Sequence, residues 1–381
     1  MNPSFEPPPY PYHRLRGLEK LAAAHEGGLV DCSVGTPCDP PAEIVLEAMR
    51  AAGNERGYPE SAGSLVMRKA AAGWIERRFG VVVSPEQIAA CVGTKEFVAS
   101  VVGYLHLRNP SKNVVLHPTV SYPTYAMGAL LAHCRPVAVP ALDRLGTGLR
   151  LSEIDPSDAD AALCLWVNTP SNPTGGLSDL EMAVRWGKER DIPVLSDECY
   201  SEYTWSKRPM TILEYATEGV LAVHSLSKRS NLAGVRAGFY AGDKDLVGYL
   251  SDLRRHAGLM VPGPVQVGAA AALDDDSHVL MQRERYRSRL ELLMGVLESI
   301  GCPAEMPEGG FYLWVSVPEH FGDGWGLAEE LARRGGLLVS PGEFYGDQSA
   351  NFIRVAAVQP LERLRLVVER FARSGLSVGT A

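Results

Sequence analysis

Short apolar runs alternate with longer helical patterns along most of the chain. Seven stretches read as strands: Gln87–Val92, Asn113–His117, Arg135–Val139, Ala161–Val167, Ile192–Ser196, Val220–His224 and Ala237–Ala241. Most are continuous apolar runs, the pattern of strands buried on both faces. Between them apolar positions recur at helical spacing, as in Lys95–His106, Tyr125–Ala132 and Asp179–Arg190. This alternation predicts an α/β fold with a mostly parallel sheet and helices on both faces. Such sheets take ligands at the carboxyl ends of their strands, so the residues after each strand are the place to look for chemistry.

The pattern changes towards the C-terminus. A long helical stretch, Arg283–Ile300, is followed by the turn Gly309-Gly310, a strand Phe311–Val317, a helix Leu327–Arg334, the segment Gly336–Val339 and an apolar run Phe352–Ala356. This reads as a second, smaller α+β domain. The expected division is an N-terminal arm with part of the small domain over 1–40, a large domain over 41–272, and the rest of the small domain over 273–381. The segment Val261–Ala272 is expected to link the two. The Pro-rich start MNPSFEPPPYPY reads as an extended arm packing on a neighbouring surface, or else as a disordered tail.

Composition narrows the class. The chain has 381 residues, 46% of them hydrophobic, enough to build two domains. The net charge of −8 and the lack of a long basic stretch give no support to nucleic-acid binding. No apolar run approaches a membrane span. Seven scattered cysteines without a CxxC pair suggest reduced thiols and a cytoplasmic protein. The Pro-rich start is neither a signal peptide nor a transit sequence.

The residues after the strands are chemically pointed. Gly93-Thr94-Lys95-Glu96 opens a helix, where free backbone N–H groups attract a phosphate, although an ordinary turn and cap would look the same. In Tyr122-Pro123-Thr124-Tyr125 either tyrosine could stack on a flat ring or belong to the core. Asn168-Thr169-Pro170-Ser171-Asn172-Pro173-Thr174-Gly175 is a stiff loop that presents Asn172 from a rigid support. Asp197, at a buried strand end, needs a partner such as a protonated ring nitrogen, and Tyr200 could reach the same ligand. In Ser225-Leu226-Ser227-Lys228, a lysine among small residues has the setting of a nucleophile towards carbonyls. Ser225 and Arg236 suit a phosphate. Arg354, on an apolar strand, wants a carboxylate, from a ligand or from a structural ion pair.

Taken in order, SLSK with Arg236 eight residues beyond Lys228, NPTG and D-x-x-Y resemble the fold-type-I PLP aminotransferases over nearly the whole chain. The resemblance implies pyridoxal 5'-phosphate as cofactor, 41–272 as its binding domain, and amino-acid and keto-acid substrates. Lys228 would be the lysine that bonds the cofactor and shuttles a proton. Asp197 would pair with the pyridine nitrogen, Tyr200 and Asn172 would hold the phenolic oxygen, and Tyr122 would stack. Gly93, Thr94, Lys95, Ser225 and Arg236 would cradle the phosphate. Tyr58, in Gly57-Tyr58-Pro59, would reach the phosphate of a second subunit, which implies a homodimer. Arg354, with Asn172 and the Gly35 N–H in Ser33-Val34-Gly35-Thr36-Pro37, would take the α-carboxylate. The segments SVGTP, GTKE, YPTY, SPSNPTG, SDECY and AVHSLSK resemble the actinobacterial N-succinyldiaminopimelate aminotransferases of lysine and diaminopimelate synthesis more closely. The expected reaction moves an amino group between glutamate and N-succinyl-2-amino-6-oxopimelate. Alternatives are another acceptor, or a C–S lyase on the same fold. One departure is Arg229 beside Lys228, a bulky charge that could face solvent or a substrate carboxylate.

Overall fold

The computed structural model describes residues 5–53, 56–141 and 148–373, so the first four residues of the Pro-rich arm lie outside the described residues. The chain forms two compact units. The larger is Thr36–Arg287 with Pro307–Tyr312, and the smaller is Met1–Gly35, Ser288–Met306 and Leu313–Ala381.

Seven strands build the sheet of the larger unit: β1 (Ile88–Cys91), β2 (Val114–Pro118), β3 (Arg135–Val139), β4 (Ala162–Asn168), β5 (Val194–Asp197), β6 (Val220–Ser225) and β7 (Gly238–Gly242). Their order across the sheet is β1-β7-β6-β5-β4-β2-β3. All neighbours run parallel except β7, which is antiparallel to both β1 and β6. The expected strands are all present, mostly shifted by a residue or two at their ends.

Why these runs are apolar throughout follows from the pleat. Successive side chains point to opposite faces, and here each face has its own core. Ile88, Ala90, Leu116, Leu165, Val167 and Ala222 pack with Trp74 and Ile75 of helix Leu65–Phe79 and with Ala269 of helix Gly263–Asp274. Ala89, Cys91, Val115, Trp166, Leu221 and Val223 pack with Phe97 and Val101 of helix Thr94–Arg108 and Leu250 of helix Lys244–His256. Only β3, at the edge, keeps exposed positions. Side-chain caps set several helix starts. Ser64 accepts from the Met67 N–H at 3.3 Å and Asp179 from the Met182 N–H at 2.9 Å.

The expectation of a linker at Val261–Ala272 is overturned. Gly263–Asp274 is a helix inside the larger unit, packed on Glu43–Ala51 and on Leu65–Phe79. Its small residues make close packing possible, since a Cβ on Gly268 would collide with the Met49 side chain. Pro307–Tyr312 groups with the larger unit because the Trp205 N–H donates to the Glu308 carbonyl at 2.8 Å and the Gly310 N–H to the Tyr203 carbonyl at 2.9 Å.

In the smaller unit Val30–Asp31 pairs in parallel with Leu337–Leu338. A second sheet orders Ser340–Pro341, Phe352–Ala356 and Tyr312–Ser316, with Phe352–Ala356 in the middle. Helix Gly324–Gly335 buries Leu327 and Leu331, and helix Leu361–Arg373 buries Leu364, Val367 and Phe371. The arm is exposed over residues 5–10, then enters a short 3-10 helix, Pro11–Leu15. Among the described residues no helix is long and apolar enough to cross a membrane.

Candidate active site

The carboxyl ends of the parallel strands gather most of the expected residues. β4 ends at Asn168, β5 at Asp197 and β6 at Ser225, while Gly93 follows β1. Register brings them side by side. Asn168 lies opposite Asp197, Asp197 opposite Val223, and Ser225 opposite Gly238.

Asp197 is the buried centre. Its Oδ2 accepts from the Tyr125 hydroxyl at 2.8 Å and its Oδ1 from the Cys199 N–H at 3.2 Å. Burial pushes its carboxyl up, opposed by those donors and by the charge of Lys228. Tyr125 is itself buried against Trp166, their rings stacked at 4.9 Å. Burial first, then the Asp197 charge, pushes its phenol well up, so the hydroxyl keeps the proton it donates. Tyr122 is half-buried and stands edge-on to Tyr125 at 5.8 Å.

The Asn172 loop is held by its own strand. The Asn172 N–H donates to Asn168 Oδ1 at 2.7 Å, and Asn168 Nδ2 donates to the Asp197 carbonyl at 2.8 Å. Asn172 is buried, and Gly175 closes the loop at φ +74°, where a Cβ would meet Pro307 and the Gly309 carbonyl. Tyr200 is also buried, its hydroxyl 2.8 Å from that of Tyr312. Lys228 is half-buried, and its carbonyl accepts from the Tyr203 hydroxyl at 2.9 Å.

An anion cradle lies beside them. Gly93, at φ +76°, caps the helix that starts at Thr94, and a Cβ there would collide with the Arg236 guanidinium. Arg236 takes the left-handed conformation, φ +61°, and donates to the Ala233 carbonyl at 2.8 Å. The Cys199 thiol donates to Thr94 Oγ1 at 3.4 Å, tying the Asp197 turn to the helix start. Thr94 is half-buried, Lys95 exposed and Ser225 buried, with Ser225 Oγ accepting from the Ser227 N–H at 3.2 Å. Helix-start N–H groups, a hydroxyl and a guanidinium suit a phosphate. A buried carboxylate a few residues away suits a protonated ring nitrogen, so the residues present fit the expected cofactor.

Gly93→Ala should cost about 1–3 kcal/mol, because only glycine takes that backbone conformation without strain. Denaturant unfolding of the cofactor-free protein reads the stability loss.

The smaller unit supplies the carboxylate candidate. Arg354 is buried, its Nη2 donating to the Ser33 carbonyl at 2.6 Å and to the Tyr12 hydroxyl at 3.3 Å. The Tyr345 ring lies 4.8 Å from its guanidinium carbon. Gly35, two residues beyond Ser33, is buried in the same unit. Tyr58 stands apart from the other candidates, 94% exposed.

Arg229 takes neither of the roles left open for it. It is buried, with Nε donating to Glu202 Oε1 at 3.0 Å and Nη2 to Asp276 Oδ1 at 2.9 Å. Glu202 also receives Trp74 Nε1 at 2.8 Å and Arg78 Nε at 2.9 Å. The charge therefore belongs to a structural network that holds the helix after Ser225.

Sequence reading missed Tyr125 as the donor to Asp197, Tyr312 as the partner of Tyr200, and Asn168 as the support of Asn172. For Tyr125 the signal is a tyrosine three residues after Tyr122 at a helix start, in the connection that follows β2. Tyr125→Phe removes a donor to a charged group, worth about 1.5–3 kcal/mol. We expect faster loss of cofactor on dialysis, measured by absorbance, with no other change in the fold.

Fold and cradle together define a PLP-dependent transferase of fold type I. The family model described as aminotransferase class I and II matches residues 28–371, and the chain belongs to that family. It is 39% identical over 373 residues to the 4-dedimethylamino-4-oxo-anhydrotetracycline transaminase OxyQ of Streptomyces rimosus, covering 96% of this chain and 99% of that protein. It is 33% identical over 377 residues to the LL-diaminopimelate aminotransferase of Aquifex aeolicus, covering 95% and 96%. The structure of a probable N-succinyldiaminopimelate aminotransferase from Thermus thermophilus superposes with a TM-score of 0.84 at 28% identity, covering 96% of this chain and 100% of that one. The chain is thus a PLP-dependent aminotransferase acting on amino and keto acids.

Proposed function

We propose that the enzyme moves an amino group from glutamate to N-succinyl-2-amino-6-oxopimelate, in diaminopimelate and lysine synthesis in the cytoplasm. The observation that carries the acceptor is the full-length likeness to a probable N-succinyldiaminopimelate aminotransferase, together with diaminopimelate transaminases among the relatives. A second reading, an acceptor ketone on an oxo-anhydrotetracycline, is favoured by the 39% identity to OxyQ across both chains.

Bound PLP supplies an electron sink for the pair left when the substrate Cα–H bond breaks. The chain supplies the rest. Asp197 holds the ring nitrogen protonated, with Tyr125 and the Cys199 N–H keeping its carboxylate in place. Tyr200 and Asn172 donate to the ring's phenolic oxygen, and Tyr122 packs on the ring face. The N–H groups of Gly93, Thr94 and Lys95, the Ser225 hydroxyl and the Arg236 guanidinium hold the phosphate. Lys228 Nζ would hold the cofactor and would serve as the base for the substrate Cα–H proton. Arg354 and the Gly35 N–H, both in the smaller unit, would hold the α-carboxylate.

A homodimer fits the surface. Tyr58 is a fully exposed aromatic, and Ile44, Leu65, Val66 and Val267 are exposed on three helices that pack on one another. A second copy would cover these apolar side chains.

The test is a half-reaction series on the PLP-loaded enzyme, followed by the yellow cofactor absorbance. Glutamate, N-succinyl-LL-diaminopimelate, LL-diaminopimelate, aspartate and alanine are each added alone. Fast bleaching by glutamate and the succinylated donor, and slow bleaching by the rest, supports the first reading. Bleaching by glutamate but not by the succinylated donor removes it and favours the OxyQ-like acceptor. Pyruvate and ammonia formed without a keto acid would point to the C–S lyase alternative.

A further inference from the structure

Behind the Asp197 carboxylate lies a second carboxylate that nothing above uses. Glu198 is buried, with Oε1 accepting from Ser196 Oγ at 2.8 Å and from the Ile212 N–H at 2.8 Å. Its Oε2 stands 3.4 Å from Nε2 of His224, which is also buried. Glu198 Oε2 and both His224 ring nitrogens have no hydrogen-bond partner among the described residues. Around the imidazole stand Trp74, edge-on at 4.9 Å, Phe239 at 5.1 Å and Phe79 at 6.0 Å. A small cavity is lined by both side chains, and across it stand Glu202 and Arg229. Glu202 is already neutralised by Arg229 and Arg78. The other titratable groups facing the pair are Asp197 and the half-buried Cys199 thiol, on either side of Glu198 in the chain.

Two buried ionisable groups whose facing atoms, Glu198 Oε2 and His224 Nε2, lack any other partner must settle on one arrangement of protons. An ionised Glu198 would put two adjacent buried carboxylates at one strand end, with Arg229 committed elsewhere. A charged His224 would sit among three aromatic rings with no acceptor but Glu198. One proton between Glu198 Oε2 and His224 Nε2 gives each of those two atoms a partner without leaving a charge on either group.

We propose that Glu198 Oε2 carries a proton and donates it to His224 Nε2, and that this neutral pair leaves Asp197 as the ionised carboxylate of the buried layer. Glu198 and His224 are then positioning residues, acting through the charge on Asp197. Burial favours the neutral form of each, holding the Glu198 carboxyl up to about 8 and the His224 imidazole down to about 3. Glu198 lends stability below pH 4.5 that is lost as pH rises through about 8. Neutral His224 lends stability above pH 6.5 that is lost as pH falls towards 3. Together they favour the fold most between pH 4.5 and 6.5. The pair's protonation stands on geometry, whereas its service to Asp197 rests on the cofactor assignment.

The experiment reads protons in the cofactor-free full chain at pH 7, independent of turnover. Infrared difference spectra would show the C=O stretch of one buried protonated carboxylic acid in the wild type. That band is expected to vanish in Glu198→Gln and to remain in Asp197→Asn. The reverse pattern would place the proton on Asp197 and overturn the proposal, as would absence of the band in the wild type. If either variant fails to fold, nitrogen NMR of histidine-labelled wild type decides, with the His224 signal assigned in His224→Asn. A neutral His224 between pH 5 and 7 is expected, and a protonated one would overturn the neutral pair.

Discussion

Lys228→Ala should abolish transamination, with a loss of at least about 10⁴-fold in turnover, the upper end of what a positioned proton carrier contributes. The loss has two parts on the proposed assignment. The variant has no amine to attach the cofactor, and no base to move the proton from Cα. The fold should survive. Lys228 is half-buried at the end of a one-turn helix, and its backbone carbonyl, which receives the Tyr203 hydroxyl, is unchanged by the substitution. The proposed phosphate contacts of Thr94, Ser225 and Arg236 are also untouched by the substitution. Single-turnover absorbance with glutamate, beside a thermal melt and cofactor retention on dialysis, separates the outcomes. Turnover near the wild-type value would end the assignment of Lys228. Loss of turnover with a lowered melting temperature would mean that the residue is structural.

The large sheet was legible because burial on both faces removes ambiguity. Trp166 and Leu165 point to opposite cores, so β4 is apolar at every position before Asn168 and no helix pattern competes. Helix Leu65–Phe79 stands out less. Its buried side chains Met67, Ala70, Ala71, Trp74, Ile75 and Phe79 share one face, but Leu65 and Val66 are exposed and Ala72 and Gly73 half-buried on the other, so the contrast between faces is weak. Helix Gly263–Asp274 reads as a linker because Pro262, Gly263, Pro264 and Gly268 signal a break in sequence, whereas its small residues allow close approach in the core.

The candidate site residues stand out in the sequence for a different reason. They follow strands whose positions were already clear, and rigid loops such as Asn168–Gly175 have few other purposes. What could not be read were the partners. That Tyr125 rather than Tyr122 donates to Asp197 depends on which way the helix after Pro123 turns. That Arg229 is committed to Glu202 and Asp276 depends on residues 27 and 47 positions away in the chain. Long-range pairing of this kind leaves no local pattern. Glu198 and His224 belong to the same group, since each is an ordinary polar residue until β5 and β6 place them together.

Arg354→Ala should weaken every amino-acid and keto-acid substrate alike, by about 2–5 kcal/mol, the usual cost of losing one partner of a buried charge-paired contact. The uniformity follows from the chemistry proposed for it, because all these substrates share the α-carboxylate and differ only beyond it. The guanidinium is prepared for that task. The Ser33 carbonyl and Tyr12 hydroxyl fix one edge, and the Tyr345 ring covers its face at 4.8 Å, so little reorganisation remains when a carboxylate arrives. Arg354→Lys should recover only part of the loss, since an ammonium cannot give the two parallel N–H donors of a guanidinium. Steady-state kinetics with glutamate and with two keto acceptors provides the check. Equal losses in kcat/KM for all three substrates, with an unchanged melting temperature, fit a shared carboxylate contact. A loss confined to one substrate would move Arg354 to the recognition of a side chain, and a fall in stability with kinetics intact would return it to a structural role.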